Sequence, residues 1–122
     1  MAVTNFDEYR DVFVVADTID DVVHPVTYEL IGQARRIAKE LGQLVQVMLL
    51  GENVQTEAEE LVAHGADIVH VFESPLLKYY TTDGYTKVLT DFFEDHNPNI
   101  LLIGATNNGR DLAPRMSGRM QN

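Results

Sequence analysis

The chain of 122 residues contains no cysteine. That excludes disulfides, thiolate nucleophiles and cysteine-ligated iron–sulfur or zinc centres. Positive charge is scarce, with nine lysines and arginines against nineteen aspartates and glutamates, for a formal net charge of −10. So acidic a surface repels phosphate backbones and anionic lipid, which disfavours nucleic-acid binding and membrane-surface roles. No apolar run reaches the ~18 residues that a transmembrane helix needs. Neither a signal-peptide nor a transit-peptide pattern opens the sequence, so the expected location is a bacterial-type cytoplasm. Linkers and low-complexity segments are also missing. What remains is 45% hydrophobic residues, an ordinary globular proportion. The length predicts a single domain over residues 1–122 that buries roughly two-thirds of its unfolded surface.

Apolar runs alternate with helical periodicity in four strand–helix repeats. Residues 11–16 (D-V-F-V-V-A) read as a central parallel strand. A helix over residues 26–41 follows, with Leu30, Ala34, Ile37, Ala38 and Leu41 inward, Pro25 in its first turn and Gly42 as its stop. Residues 44–50 form the second strand. The second helix turns Val54, Ala58, Leu61 and Val62 inward and stops at Gly65. A third strand over residues 67–72 carries His70 at its middle and reads as less buried. The third helix runs over residues 82–94 with Tyr85, Val88, Leu89 and Phe92 inward, and Asn97-Pro98-Asn99 leads into a fourth strand over residues 99–103. Such alternation implies right-handed crossovers and a parallel α/β sheet of Rossmann-like, adenine-nucleotide-hydrolase-like type. The expected strand order is 3-2-1-4, which puts His70 on an edge and opens a crevice between strands one and four. The loops at residues 16–25 and 104–110 then face each other. After the fourth strand a helix begins but no further strand arrives, so the next strand is expected to be missing.

The turn at residues 104–110 has Walker-A spacing, two glycines four residues apart followed by a basic residue. It departs from that motif where the chemistry resides. Arg110 stands in place of the lysine, Asp111 in place of the Ser or Thr that would hold magnesium, and the turn follows the fourth strand rather than the first. Nucleotide hydrolysis is therefore not expected. Asp111, ahead of Leu112-Ala113-Pro114, reads as the N-cap of the fourth helix, with Pro114 in its first turn. The facing loop lacks glycine between Asp17 and Pro25 and carries Asp17, Asp20 and Asp21. It is read as a solvated acidic loop that would repel a pyrophosphate.

Other groups of suggestive residues have plain readings. Glu59-Glu60 and Glu94-Asp95 sit on helices or at their ends, with no sign of the opposed environments that acid–base pairs need. His24, His64, His70 and His96 lack metal-like spacing, and no metal site is expected. His64 and His96 fall near helix C-termini, where an imidazolium is favoured. Tyr79, Tyr80 and Tyr85 cluster at the start of the third helix, where packing competes with stacking on a flavin or base. No nucleophile–base pair emerges, so catalytic residues are read as none.

Residues 104–115, G-A-T-N-N-G-R-D-L-A-P-R, resemble the signature that closes the N-terminal domain in the α subunit of electron-transfer flavoproteins. Three more blocks resemble that family in the same order: H-P-V-T-Y-E-L at residues 24–30, H-G-A-D at 64–67 and Y-T-T-D-G-Y at 80–85. The resemblance implies an αβ heterodimer whose FAD is bound mainly by a C-terminal α domain, outside this segment. The β subunit would hold AMP or a second FAD. It further implies that this chain is scaffold and subunit interface, not an enzyme by itself, with no cofactor-binding residue of its own. Arg110 and Arg115 match the motif, and with Asp111 and Pro114 they are the expected partner-contacting residues. The family pattern would continue past Asn122 into the rest of the domain and the FAD domain. The parent would carry electrons from acyl-CoA dehydrogenases or related flavoenzymes, or belong to the bifurcating branch that uses NADH and ferredoxin. The alternative is a stand-alone adenine-nucleotide-binding module like the universal stress proteins, although their turn ending in Gly-Ser or Gly-Thr is absent. A ligand-free interaction module is the third reading.

Overall fold

A computed structural model describes residues 9–120. The chain runs β1 (Val12–Val15), β2 (Thr18–Ile19), β3 (Val22–Val23), α1 (Pro25–Leu41), β4 (Val45–Gly51), α2 (Gln55–Ala63) and β5 (Ile68–Glu73). A short 3-10 turn (Pro75–Leu77), α3 (Thr82–Phe93), β6 (Ile100–Leu102) and α4 (Asn107–Met120) complete it. Four strands form one parallel sheet in the order β5-β4-β1-β6, which is the expected 3-2-1-4. Val12 pairs with Val45 on one side and with Ile100 on the other. His70 lies on the edge strand β5, opposite Met48 of β4, and β6 is the other edge. The expected break in the strand–helix pattern at Gln121 and Asn122 lies outside the described residues.

Both faces of the sheet are covered, so the central strands β1 and β4 are buried along their whole length. Side chains alternate between faces with period two. Val12, Val14, Val45, Val47 and Leu49 pack under α1 and α2 with Ile31, Ala34, Ala38 and Leu61. Phe13, Val15, Met48 and Leu50 pack under α3 and α4 with Tyr85, Leu89, Phe93, Leu112 and Met116.

Helix α1 starts with Pro25 at its first position and ends at Gly42, whose φ of 67° is the left-handed conformation glycine adopts without strain. Two residues expected inside are exposed. Leu41 is the last helical residue, where the chain turns away at Gly42, and Val62 stands one residue round the helix from the buried Leu61. In α3, Tyr85 and Leu89 are buried as expected; Val88 and Phe92 are half-buried, and Thr86, Thr90 and Phe93 complete the inner face.

Residues 16–25, read from the sequence as a solvated acidic loop, contain a hairpin. Thr18↔Val23 and Ile19↔Val22 pair antiparallel, with Asp20 and Asp21 between them at φ 52° and 64°. Positive φ at both central residues is what a tight type I′ hairpin requires. Asp21 also has partners: its carboxylate accepts from the backbone N–H of Glu52 (2.8 Å) and of Asn53 (3.1 Å).

Candidate functional site

In a parallel sheet the loops that follow strands β1 and β6 diverge to opposite sides, leaving a crevice at their C-terminal ends. Here the floor of the crevice is bridged by the protein's own groups. The Thr106 hydroxyl donates to the Asp17 carboxylate and accepts from the Gly109 N–H (3.0 Å), while the Thr106 carbonyl accepts from Arg110 N–H (2.8 Å). Thr106 is thus the N-cap of α4. On the other side, the Asp17 N–H donates to Thr27 Oγ1 at 3.0 Å. The cavity between Val15, Asp17, Tyr85, Gly104, Asn108 and Leu112 holds about 20 Å³, the space of a water molecule. An adenine or isoalloxazine ring does not fit it. An open groove of about 520 Å³ lies outside it, over Ile19, His24, Val26, Thr106 and Asn107, and Asp17 lines it too. A phosphate there would meet a carboxylate.

The glycines of the turn have a steric reason to be where they are. A Cβ on Gly109 would collide with the Gly104 carbonyl oxygen and sit 3.0 Å from its carbon. The Walker-like spacing therefore reports close packing of the β6–α4 turn.

Asp111 is not the helix cap. It lies one turn inside α4, and its carboxylate accepts from the Tyr80 hydroxyl (2.7 Å) and from the Thr82 hydroxyl. Both hydroxyls hold the Asp111 carboxyl below the usual carboxylate range. Burial, then the Asp111 bond, pushes the Tyr80 phenol up to about 12. Pro114 falls inside the helix rather than in its first turn, so the Arg110 carbonyl has no N–H partner four residues on. Arg115 bridges to Asp83 of α3 at 2.6 Å. The four candidate interface residues Arg110, Asp111, Pro114 and Arg115 are all exposed, on the N-terminal and middle turns of α4. The structure brings Asp111 and Arg115 together with the start of α3. Among the tyrosines, Tyr80 and Tyr85 meet edge-on with centroids 5.0 Å apart. The buried Tyr85 hydroxyl donates to the Leu77 carbonyl (2.6 Å), a packing role, and Tyr79 is exposed.

The profile of the electron transfer flavoprotein domain matches residues 12–122. The chain belongs to the electron transfer flavoprotein domain family. It is 43% identical over 114 residues to the electron transfer flavoprotein subunit alpha of Megasphaera elsdenii, covering 93% of this chain and 34% of that protein. It is 45% identical over 111 residues to the lactate dehydrogenase (NAD(+),ferredoxin) subunit LctC of Acetobacterium woodii, covering 91% and 27%. It is 41% identical over 116 residues to the acryloyl-CoA reductase electron transfer subunit beta of Anaerotignum propionicum, covering 95% and 32%. The chain thus spans about a third of the length of these curated relatives.

In this electron transfer flavoprotein domain the histidines act locally. His24 caps α1, its Nδ1 accepting from the Val26 N–H at 2.9 Å, a role that histidine's low cap preference did not signal. His64 and His96 approach the Glu60 and Phe92 carbonyls at 2.8 and 2.9 Å, as helix C-termini predict. His70 Nε2 meets Gln46 Oε1 at 2.6 Å, and Gln46 Nε2 donates to Asp11 at 2.7 Å. Burial and then the neighbouring His96 hold the His70 imidazole below its ordinary value. Among the described residues no group of three or more His, Asp or Glu is placed to hold a metal. Glu59, Glu60, Glu94 and Asp95 are exposed. Among the described residues no helix is long and apolar enough to cross a membrane.

Proposed function

We propose that this chain is the scaffold and subunit-interface part of an electron-carrying flavoprotein subunit. The observation that carries this reading is the bridged floor of the crevice: Asp17 bonds the cap of α4 where a nucleotide-binding sheet would receive its ligand. FAD in the parent is held mainly outside this segment, and AMP or a second FAD belongs to the partner β subunit. Arg110, Asp111, Pro114 and Arg115 form the face turned to that subunit. One relative is named as the electron transfer subunit of an acryloyl-CoA reductase and another as a subunit of a lactate dehydrogenase, and these names support a parent that passes electrons between acyl-CoA dehydrogenase-type flavoenzymes and a redox partner. The NAD(+),ferredoxin pair in one relative's name favours the bifurcating variant. The acidic surface suits a cytoplasmic location without nucleic-acid partners.

Flavin content and nucleotide binding test the scaffold assignment. The purified chain is expected to elute colourless from gel filtration and to give no micromolar heat with AMP or ATP in calorimetry. A flavin retained at one per chain overturns the assignment. Micromolar AMP or ATP binding favours the stand-alone adenine-nucleotide module instead.

A further inference from the structure

Asn108-Gly109 is the one Asn-Gly step in the chain. In an open backbone such a step is chemically unstable, because glycine's missing Cβ leaves its amide nitrogen unhindered beside the preceding side-chain amide. The deprotonated Gly109 nitrogen bonds to Asn108 Cγ, the Cγ–Nδ2 bond breaks, and ammonia leaves behind a succinimide ring. Water opens that ring at either carbonyl, giving aspartate or, with one more main-chain carbon, isoaspartate. No oxidant or reductant is needed.

The fold withholds the attacking nitrogen. Asn108 and Gly109 lie in the first turn of α4 (Asn107–Met120). Helical N–H groups point along the axis while side chains project outward, so the Gly109 nitrogen and Asn108 Cγ are held apart. The Gly109 N–H is one of the first-turn donors that have no carbonyl partner within the helix, and Thr106 Oγ1 accepts from it at 3.0 Å. That hydroxyl is itself anchored by donating to Asp17. The reactive step is thus guarded by side-chain hydrogen bonds at a helix end, where local opening is easiest. Position 109 is not free to shed its glycine, since a Cβ there strikes the Gly104 carbonyl oxygen. The packing that demands glycine creates the liability.

We propose that Asn108 is a latent deamidation site, which the Thr106 cap keeps unreactive and which converts when the first turn of α4 opens. Conversion is not silent. The new carboxylate lines the same water-sized cavity as Asp17, setting like charges together at the anchor of the cap. Isoaspartate also lengthens the main chain where Gly109 has no room to shift against Gly104. Either product loosens α4 from the end of β6, so the opened turn does not re-form as before.

The test incubates the chain at mildly alkaline pH, folded and in urea, and follows Asn108 by peptide mass mapping, which reads the loss of the amide. Folded wild type is expected to deamidate on the order of a hundredfold more slowly than the unfolded chain. That suppression should equal the protection of the Gly109 amide in native-state hydrogen exchange, because both reactions need the same nitrogen released. Thr106→Ala should react about fivefold faster than wild type, and Thr106→Ser, which keeps the hydroxyl, at the wild-type rate. Ile31→Val trims the core on the opposite face of the sheet at a similar loss of stability, and should leave the rate unchanged. Equal acceleration by Ile31→Val and Thr106→Ala would mean that conversion passes through global unfolding, and overturns the role of the cap. A Thr106→Ala rate equal to that of wild type does the same, as does a folded rate that matches the unfolded one. If Thr106→Ala fails to fold, wild type alone decides: suppression far from the measured Gly109 protection overturns the proposal.

Discussion

Replacing Gly109 by alanine separates a packing role for this glycine from a phosphate-binding one. The new Cβ would overlap the Gly104 carbonyl oxygen, with the Gly104 carbon at 3.0 Å and Ile103 Cγ2 at 3.3 Å. The obstacle is backbone, so no rotamer relieves it; α4 must move off the end of β6 or the turn must open. Overpacking of this kind costs about 1–3 kcal/mol or more. Opening the turn also weakens the Thr106 cap, worth about 1 kcal/mol. Alanine's better helix propensity returns about 1 kcal/mol. The net expectation is a loss of about 1–3 kcal/mol, on the order of 5–15 °C in thermal midpoint for a domain of this size. Gly118 in the same helix provides the control, because nothing lies within 4 Å of a Cβ there. Gly118→Ala should stabilise by about 0.5–1 kcal/mol. The assay is thermal and urea unfolding of both variants beside the wild type. If Gly109→Ala is as stable as wild type, close packing is not what sets the glycine spacing of this turn.

Asp111→Asn should leave the helices intact and lower the urea unfolding midpoint slightly, because the acceptor of the Tyr80 and Thr82 hydroxyls loses its charge. In the same variant the Tyr80 phenol, raised from 10.0 to about 12 in the wild type, should move only partway back by ultraviolet titration, since burial is the larger cause. A raised folded value means that this contribution is intact below pH 10 and is lost as pH climbs to about 12; a flat stability profile there would contradict the assignment. His70, held below 6.5 by burial and then by His96, has the opposite sign. Its contribution is intact above pH 6.5 and is lost as pH falls through the depressed value. His96→Gln should raise the His70 midpoint slightly in an NMR titration, and an unchanged midpoint would show that the two rings do not interact.

The sheet was legible in the sequence because its central strands are buried on both faces and read as unbroken apolar runs, while Gly42 marked a helix end through chain geometry alone. What escaped depended on contacts distant in sequence. The β2–β3 hairpin uses Asp-Asp where Asn-Gly or Asp-Gly is the usual signal. Only the alternation of Thr18 and Val23 inward with Ile19 and Val22 outward pointed to it. The sequence points to Asp111, ahead of Leu112-Ala113-Pro114, as the cap of α4, whereas the helix starts at Asn107 and Thr106 caps it. Nothing local indicated that Tyr80 and Thr82 would claim the Asp111 carboxylate from 31 and 29 residues away. The expected facing of the two crevice loops held, since strand order alone dictates it. That Asp17 and Thr106 would bridge the floor of the crevice needed the three-dimensional placement.

Hydrogen exchange of the chain, free and saturated with the companion β subunit, tests most directly the claim that this segment is a partner surface rather than a flavin pocket. The account predicts that amides of α4 around Arg110 and Arg115 exchange markedly more slowly in the complex, and that adding FAD to the free chain changes none. Unchanged α4 exchange in a complex shown to form, or FAD-dependent protection of residues 104–110 in the free chain, would contradict it.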